Sequence, residues 1–449
     1  MLTVRPPTGA VGRVEANLAA LRVATQLVAQ ERAATDEEHQ VLARWSSWGA
    51  VPGIFDPTQQ RWARHRQELA DLVGETAYRA AARTTLNAHY TEPDYAAAMW
   101  QGLQQLGFTG GRVLEPGCGA GAFLATAPPD TDLVGVELDP STAAIAAALH
   151  PGATVHAQSF ADTRLPPDTF DAVVGNVPFA KVTLTDPHHN SGRHSIHNHF
   201  IIKSLALTRP GGLVAVLTSR FTLDARNDTA RREIAELADL VTAIRLPTGA
   251  HSAMAGTEAV TDLLILQRRD TTRTTLPAWV RAAEWMDLPD VFVNQWFHDH
   301  PDLILGNVSI GAGMHGAATV TITPTSTNIG ADLTAAITRE TQRAHTEGVT
   351  WTPAPAVEVT TARLQLPPPD PQWWDGHLHH DPASSTFVAV DRGSWAAVKV
   401  PASAGKELRA LLALRDTAAS LVDAERRDQP TATLEDLRTD CHRAWTSYT

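Results

Sequence analysis

Seven short apolar runs, separated mostly by helical segments, constrain the fold of this chain more than any other feature of its sequence. The candidate strands are residues 112–115, 132–137, 153–156, 170–175, 212–218, 240–245 and 262–268. Because strands that alternate with helices form a mostly parallel sheet with helices on both faces, the pattern predicts an α/β fold. Only a loop separates the last two strands, which predicts an antiparallel hairpin at one edge of the sheet.

The sequence pattern before and after the predicted sheet differs from that of the sheet, and this difference predicts three domains. Residues 1–84 carry apolar side chains at helical spacing and predict a helical N-terminal extension, in which TDEEH (35–39) indicates a helix start. Residues 85–270 form the predicted core, and residues 271–449 form a mixed α+β C-terminal region. Within that last region we expect a hairpin and two helices, at residues 386–400, 403–427 and 433–446.

Composition argues against several classes of protein. The chain has 449 residues and a formal net charge of −12, which disfavours a protein whose whole surface binds nucleic acid but leaves room for a local basic cleft. No apolar run approaches the length of a membrane span, and the N-terminus lacks the layout of a signal peptide. Because the two cysteines, Cys118 and Cys441, are far apart in sequence, we expect no disulfide framework and a reducing, cytoplasmic compartment.

A glycine-rich turn follows the first predicted strand in VLEPGCGAGAF (113–123). We expect the strand to run into this turn and then into a helix, so that backbone N–H groups can approach a ligand closely. Gly117, Gly119 and Ala122 also satisfy the dinucleotide pattern, so the turn alone leaves NAD binding open. The turn residues predicted to bind a cofactor are Pro116, Gly117, Gly119 and Gly121.

Two carboxylates narrow the choice of cofactor. Glu115 precedes the glycines, where its charge would repel a pyrophosphate but favour a cationic amine. Glu137 ends the next strand, about 20 residues on, in a position to bind two ribose hydroxyls. A ligand with a ribose, an amino acid end and no phosphate fits both, and this is S-adenosylmethionine. Asp139, followed by Pro140, is interpreted as a structural helix cap.

The tetrapeptide Asn176-Val177-Pro178-Phe179 ends the fourth predicted strand and is the candidate catalytic motif. Ligands of doubly wound sheets lie outside the carboxyl ends of the strands, so this motif should face the same crevice as the glycine turn. The Asn176 amide oxygen and the Val177 carbonyl can both accept hydrogen bonds from one exocyclic amino group. Phe179 can stack on a planar base or amide. The structural alternative is a simple Asn-x-Pro turn.

The order of EPGCGAGAF, GVELD and GNVPF resembles that of class I amino-group DNA methyltransferases of the gamma arrangement, which make N6-methyladenine. NAHYTEP (87–93) is similar to the segment that those enzymes place against the cofactor. Longer stretches within 209–306 resemble large plasmid- or phage-defence-associated proteins in which such a domain precedes a helicase. The chain itself contains no G-x-x-x-x-G-K-[ST] motif for nucleotide hydrolysis.

This resemblance implies a Rossmann-like seven-stranded methyltransferase sheet that binds S-adenosylmethionine and methylates the N6 atom of an adenine flipped out of DNA. It also implies a restriction or phage-defence setting, a helicase partner and a target-recognition or helicase-connecting role for residues 271–449. The additional cofactor-binding residues that it implies are Tyr90, Thr91, Leu138, Ser159, Phe160 and Asn176. The implied substrate-binding residues are Phe179, Lys181, Arg193 and His251.

Two positions depart from the family pattern, and one segment is open to two interpretations. Val177 stands where the family has a proline but contributes only its carbonyl, and His251 replaces an aromatic residue that packs on the flipped base. DPHHNSGRHSIHNHF (186–200) contains five histidines, but their spacing is not that of a zinc site. We expect no metal there and interpret the segment as a mobile loop that contacts DNA, with Lys181 and Arg193 near phosphates.

Other functions share the same motifs. RNA and protein-glutamine N-methyltransferases also present a planar amide or amine to an Asn-Pro-type motif, so the tetrapeptide does not separate them from a DNA enzyme. A non-catalytic module that binds the cofactor or DNA within a helicase complex is a further alternative.

Overall fold

The chain forms two compact units, Met1–Ala354 and Pro355–Thr449. The computed structural model describes residues 6–84, 91–180, 182–250, 259–271, 273, 275–285, 288–312, 318–353, 366, 369–370, 373–382, 386–391, 393–398, 400, 404–427 and 429–448.

Three helices of the first unit precede the sheet and confirm the helical extension. They are α1 (Ala10–Gln30), α2 (Asp36–Leu42) and α3 (Ala63–Thr84). The Thr35 side chain accepts a hydrogen bond from the Glu38 N–H while Glu38 reaches back to Thr35, so the predicted helix start is a capping box. A backbone break at Gly74 (φ 76°) divides α3.

A seven-stranded sheet forms the centre of the first unit, in the order β3-β2-β1-β4-β5-β7-β6. The strands are β1 (Gly111–Pro116), β2 (Thr131–Glu137), β3 (Thr154–Ala157), β4 (Phe170–Asn176), β5 (Thr208–Ser219), β6 (Ala238–Arg245) and β7 (Thr261–Arg268). Only β7 pairs antiparallel, with β5 and β6. This topology confirms the predicted α/β fold and its antiparallel edge hairpin. The central strands are continuous apolar runs because residues such as Val173 and Val174 are buried between helices on both faces of the sheet.

Helices cover both faces of this sheet. They are α4 (Pro93–Gln105), α5 (Pro140–Leu149), α6 (Ile196–Leu207), α7 (Phe221–Asp224) and α8 (Thr229–Leu237). The extension helices pack on α5, where Ile145 joins the cluster that includes Leu18, Trp45 and Trp48. The extension is therefore part of the same unit as the sheet.

Residues after the sheet also belong to the first unit. Their elements are β8 (Ala282–Trp285), β9 (Leu288–Asn294), α9 (Gln295–Asp299), β10 (Asn307–Ala312), β11 (Ala318–Thr323) and α10 (Ile329–Thr346). Helix α10 packs on α4 at Gly102, where a Cβ would lie 2.6 Å from Ile337. The predicted boundary after residue 270 therefore falls inside a compact unit, because buried residues from both sides of it share one core.

These later elements also cover the outer edge of the sheet at β6. The carbonyl of Val241 accepts a hydrogen bond from the Arg343 guanidinium (2.6 Å), and that of Ala243 accepts one from the Trp296 indole (3.0 Å). The Arg245 carbonyl accepts the Leu305 N–H at 2.9 Å. Three alternate carbonyls of this edge strand thus have donors from the residues that follow the sheet.

The second unit contains a three-stranded antiparallel sheet and two helices. These are β12 (Leu378–Asp381), β13 (Thr386–Asp391), β14 (Ser394–Val398), α11 (Gly405–Arg426) and α12 (Thr431–Tyr448). The β13–β14 pair confirms the predicted hairpin, with Asp391 opposite Ser394. Among the described residues, no helix is both long and apolar enough to cross a membrane.

Candidate functional site

The strand order places the candidate site at the carboxyl ends of the central strands. Strand β1 lies between β2 and β4, so the connections from β1 and β4 leave toward opposite faces of the sheet. In open α/β sheets this reversal of strand order is where ligands bind. The glycine turn after β1, Glu137 at the end of β2 and the tetrapeptide that starts at the last residue of β4 all lie at this edge.

The glycine turn has the backbone conformation that its glycines allow. Gly117, Gly119 and Gly121 have φ values of 72°, 53° and 85°, in the left-handed region that favours glycine. The N–H groups of Gly117 and Cys118 both donate to the Val136 carbonyl, at 2.8 and 3.0 Å. This bonding fixes the turn against the end of β2.

The expected helix after this turn is absent, and that prediction was wrong. The described chain forms only a 3₁₀ turn at Leu124–Thr126 and then continues with Ala127 extended (φ −60°, ψ 144°). Pro128 and Pro129 follow directly. Because a residue before proline is disfavoured in the α region, a longer helix cannot form here. The backbone N–H groups that a ligand could meet at this turn are therefore those of the turn itself and not those of a helix N-terminus.

Glu115 lies beneath the glycine turn and is only 3% exposed. Its Oε2 accepts the Leu124 N–H at 3.2 Å, so the carboxylate connects the strand to the far end of the turn. Burial raises its pKa well above the ordinary value, and the nearby charge of Glu137 adds to this rise. A bound cation beside Glu115 would oppose the rise, which is consistent with the predicted contact to an amine.

Glu137 joins the glycine turn to the segment after β2. Its two oxygens accept the N–H groups of Gly119 and Asp139, each at 2.9 Å. Burial raises the pKa of Glu137 to about 7, and the charge of Asp139 contributes. A carboxylate has about four acceptor positions, so two remain for ligand hydroxyls.

Two neighbours of Glu137 can be compared with their expected roles, Asp139 as a helix cap and Leu138 as a cofactor contact. Asp139 accepts the N–H groups of Ser141 and Thr142 at 3.2 and 3.3 Å, which confirms it as the cap of α5. Leu138 is 52% exposed although it is a large apolar residue. Its position directly after Glu137 suits contact with a flat apolar ring.

Asn176 is the last residue of β4 and lies opposite Leu217 of β5. Both side-chain amide atoms of Asn176 are buried, and neither has a hydrogen-bond partner in the described part of the chain. An unsatisfied buried polar group costs about 1–3 kcal/mol, so a ligand that bonded to this amide would remove that cost. The next residue, Val177, continues the ladder by donating to the Leu217 carbonyl at 3.0 Å.

The tetrapeptide and the glycine turn are in direct proximity. A Cβ added to Gly117 would lie 3.7 Å from Pro178 Cδ and 3.6 Å from the Phe200 ring. Val177 is fully buried, whereas Pro178 and Phe179 are half-buried. The structure therefore brings Asn176, Pro178 and Gly117 to one edge, as expected from the strand order.

The turn after β3 contains Ser159 and Phe160. Ser159 is half-buried, and its hydroxyl accepts the Ala161 N–H at 3.3 Å. The Phe160 ring is only 3% exposed and packs on Phe200, with ring centroids 4.8 Å apart. Of these two predicted cofactor residues, Ser159 is the more accessible, and the Phe160 side chain belongs to the core.

Lys203 is a site-supporting residue that the sequence analysis missed. Its ammonium is buried and donates to the carbonyls of Phe160 (2.6 Å) and Thr163 (3.1 Å) and to Asp186 Oδ2 (3.0 Å). Lys203 therefore joins the turn after β3 to the segment after the tetrapeptide. A lysine within the apolar run FIIKSLAL was the available signal, since a buried charge needs partners.

The histidine-rich segment is largely built into the fold, which corrects its interpretation as a mobile loop. His194, His197 and His199 are at least 92% buried, and His197 and His199 lie in the first turns of α6. His199 bonds to Asp186 at 3.1 Å, and the buried Asn190 side chain donates to the Leu184 carbonyl at 2.8 Å. Partners within the fold thus explain much of the polar character of this segment.

Arg193 remains exposed at the tip of the histidine-rich segment, with a φ of 51°. No group of three or more His, Cys, Asp or Glu side chains among the described residues could hold a metal ion. Thr91 is buried just before α4. Three predicted site residues lie outside the described residues, namely Tyr90, Lys181 and His251.

A buried ion cluster lies farther along the same edge and was also missed. Arg245, at the end of β6, bonds to Asp262 at 2.8 Å and to Asp224 at 2.9 Å, and all three side chains are at most 1% exposed. The Asn294 N–H donates to Asp224 at 2.9 Å. These bonds anchor α7, the end of β6 and the end of β9 to one another.

Comparison with known proteins adds the following findings. No family model matches the sequence. The chain is 26% identical over 263 residues to the defense against restriction protein B of Escherichia phage P1, over 57% of this chain and 10% of that protein. It is 27% identical over 196 residues to the type II methyltransferase M.XamI of Xanthomonas campestris pv. amaranthicola, over 37% of this chain and 35% of that protein. The matches thus span about a tenth and about a third of these relatives.

Two solved structures illustrate the structural comparison. A putative class I S-adenosylmethionine-dependent methyltransferase from Listeria monocytogenes is 16% identical, with 59% of this chain and 91% of that chain covered and a TM-score of 0.34. A modification subunit of a putative type I restriction enzyme from Vibrio vulnificus is 16% identical, with 58% and 62% covered and a TM-score of 0.35. These TM-scores are too low to establish a shared fold.

The strand order and the sequence relatives carry more information about this chain than these structural matches. The order β3-β2-β1-β4-β5-β7-β6 with an antiparallel β7 is that of the class I methyltransferases. The relatives are a type II methyltransferase and a phage protein named for defense against restriction. The chain is thus similar in sequence to one type II methyltransferase and to one phage protein named for defense against restriction, and it has the Rossmann-like seven-stranded sheet expected of an S-adenosylmethionine-dependent methyltransferase.

Proposed function

We propose that this protein transfers the methyl group of S-adenosylmethionine to the N6 amino group of adenine in DNA, in a restriction or phage-defence setting. The observation that carries the proposal is the buried amide of Asn176, which has no partner among the described residues and lies at the same edge as the glycine turn. An amide in this state is ready to bind an amino group without first breaking an internal hydrogen bond.

The residues at the edge of the sheet fit the proposed cofactor. Glu137 has acceptor positions left for two ribose hydroxyls, and the exposed Leu138 is placed to cover an adenine ring. Gly117 leaves the turn open beside Pro178, and Glu115 supplies negative charge for an amino acid end. When bound, the cofactor supplies a methyl group activated by a sulfonium.

The roles of the chain's own residues follow from their placement. Asn176 Oδ1 and the Val177 carbonyl accept hydrogen bonds from the two N6 protons, and Phe179 stacks on the base. This bonding draws the nitrogen lone pair out of ring conjugation and directs it at the methyl carbon. With S-adenosylmethionine bound, the transfer would form the C–N bond as the C–S bond breaks, leaving S-adenosylhomocysteine, and the surplus N6 proton would pass to solvent water. Fixing both reactants in this geometry supplies most of the acceleration, so no metal is required.

DNA and a helicase are the partners that this reaction implies. The target adenine is flipped out of the DNA, which brings its amino group within reach of the strand ends. We infer a helicase partner or domain because stretches within residues 209–306 resemble large proteins in which such a domain precedes a helicase. The residues after the sheet are the place for target recognition, with Lys181, Arg193 and His251 as further contacts to DNA.

A tritium transfer assay tests the proposal. Wild-type protein, labelled S-adenosylmethionine and adenine-containing DNA should give labelled N6-methyladenine, and Asn176→Ala should abolish the label. Asn227→Ala, at an exposed asparagine, is the matched control and should retain it. Because the Asn176 amide has no partner among the described residues, Asn176→Ala should unfold at close to the wild-type temperature.

The other outcomes of this assay separate the alternatives. Label in RNA or in a glutamine-containing protein, and not in DNA, would identify a different N-methyltransferase. Cofactor binding by calorimetry without transfer to any of these acceptors, even with a helicase present, would identify a non-catalytic module.

A further inference from the structure

Exposed apolar side chains of the sheet core are confined to one edge. Among the described residues between 91 and 268, the large hydrophobic residues that remain exposed are Leu138, Val182 and Phe221. They follow the carboxyl ends of β2, β4 and β5 respectively. Leu138 and Val182 adjoin the proposed cofactor and target motifs. Phe221, the largest of the three, has no role in the function proposed so far.

The Phe221 ring has one covered face and is still 49% exposed. The guanidinium carbon of Arg220 lies 4.2 Å from the ring centroid, which is the geometry of a cation–π contact. Arg220 is itself held by Asp224 and by the Thr319 hydroxyl, each at 3.3 Å. The ring is therefore oriented on one side by a fixed cation.

The backbone under Phe221 is firmly anchored. The three residues that follow it in α7, Thr222, Leu223 and Asp224, are at most 3% exposed. Asp224 belongs to the buried cluster with Arg245, and the Leu223 carbonyl accepts the Asn294 side-chain N–H at 2.9 Å. An exposed aromatic ring on a rigid segment loses little conformational entropy when it binds a ligand.

The position of Phe221 connects it to the target motif. Strand β5 is the neighbour of β4 in the sheet, and Leu217 lies opposite Asn176. Phe221 comes two residues after the end of β5, at the same edge as the tetrapeptide. A polymer that delivers one base to Asn176 thus passes this neighbouring strand end.

The chemistry of the surface favours a nucleic acid as the ligand. A second arginine–aromatic pair lies next to the first, where Arg226 is 4.1 Å from the Phe292 ring centroid and α7 packs on β9. Arginine side chains contact phosphates, and aromatic rings stack on unpaired bases of any sequence. In a chain with a net charge of −12, the open Phe221 ring can stack on a base and the exposed Arg226 can contact a phosphate, whereas Arg220 is paired with Asp224 and serves to hold the ring.

We propose that Phe221 is a stacking platform for an unpaired base of the DNA strand that carries the target adenine. The open face of the ring binds the base, and Arg220 holds the ring in place. This inference rests on the proposed function for the identity of the polymer as DNA. It adds a base-binding position that is separate from the Asn176 motif.

Binding of a single-stranded DNA to the full chain tests the platform without relying on methylation. The probe is an oligodeoxynucleotide of about twelve nucleotides with one fluorescent 2-aminopurine. Phe221→Ala should weaken its affinity roughly 5- to 100-fold and relieve the quenching of the probe, whereas Phe221→Trp should restore both. Leu276→Ala, which removes another exposed apolar side chain, should leave both unchanged. Equal melting temperatures would show that the variants are folded.

Each remaining outcome decides the proposal. Wild-type affinity and quenching in Phe221→Ala would overturn it, as would the absence of any binding by the wild type. Tighter binding of the same sequence as RNA would overturn the choice of DNA. If Phe221→Ala loses binding while the wild type transfers no methyl group to DNA, the platform stands and the proposed methyltransferase function fails.

Discussion

At the scale of a single residue, the buried charge of Glu137 lowers the stability of the folded chain at neutral pH. Its carboxylate is drawn into the site by two backbone N–H groups, yet burial raises its pKa from 4.5 to about 7. Between these two pH values the folded chain holds a proton that the unfolded chain has lost. The free energy of unfolding therefore falls as pH rises through this window, and it is highest below it.

Glu137→Gln should remove this dependence. We expect the variant to be more stable than the wild type by about 1–3 kcal/mol at about pH 8, and nearly equal to it at about pH 4.5. Urea unfolding at both pH values measures the two differences, with Glu15→Gln as a control for loss of one negative charge. A stability difference that does not change with pH would contradict the assigned pKa.

At this scale the sequence predicts positions better than contacts. Asn176, Glu137 and Asp139 lie where their strand ends and cap pattern indicated. Lys203 was not predicted, because it bonds to three carbonyls that lie 40 to 43 residues away in sequence, and a single sequence does not show such contacts. The unsatisfied state of Asn176 was likewise visible only in the structure.

At the scale of elements, Lys203 of α6 connects the turn after β3 with the segment around Asp186. Lys203 joins the turn after β3 to Asp186, and His199 donates to the same carboxylate. Burial alone would raise the pKa of Asp186, but the hydrogen bonds from His199 and Lys203 lower it to about 2. The carboxylate is therefore ionised in the folded protein and depends on its cation.

Lys203→Met should leave that charge buried with one partner fewer and destabilise the chain by about 3–5 kcal/mol. The double variant Lys203→Met/Asp186→Asn should recover part of the loss. Arg339→Met breaks an exposed pair with Asp302 and should cost about 1 kcal/mol or less. Denaturant unfolding measures all three, and equal losses from the buried and exposed pairs would contradict this account.

Elements were predicted well wherever burial dictates a continuous apolar run, as in β4 and β5. The glycine turn shows the opposite case. A glycine-rich turn after a strand is often followed by a helix, which is why one was predicted here. Pro128 and Pro129 disfavour it, and the chain forms only a short 3₁₀ turn. The histidine-rich segment was misread because polar residues suggest a loop, whereas here they bond to one another inside the fold.

At the scale of the whole molecule, the residues after the sheet complete the first unit. Trp279, Phe297 and Ile322 are buried in the same cluster as Val173 and Val216 of the central strands. The weak periodicity of this stretch gave no sign of such packing, since its partners are distant in sequence. A boundary placed by sequence at residue 270 thus divides a core that is shared.

Truncation tests this organisation. A chain ending at residue 353 should unfold in one cooperative transition and bind S-adenosylmethionine like the full chain. A chain ending at residue 270 should lack cooperative unfolding, because the cluster loses one of its walls. Calorimetry and circular dichroism distinguish the two, and a well-folded shorter chain would restore the boundary predicted from the sequence.

The covered edge of β6 has a consequence beyond stability. The carbonyls of Val241, Ala243 and Arg245 are engaged by Arg343, Trp296 and Leu305, so they are not open to a foreign strand. Uncovered edges of this kind are templates for pairing between chains. Loss of these three donors would therefore expose β6 to pairing with a strand of another molecule, so the residues that follow the sheet also protect the protein from aggregation through this edge.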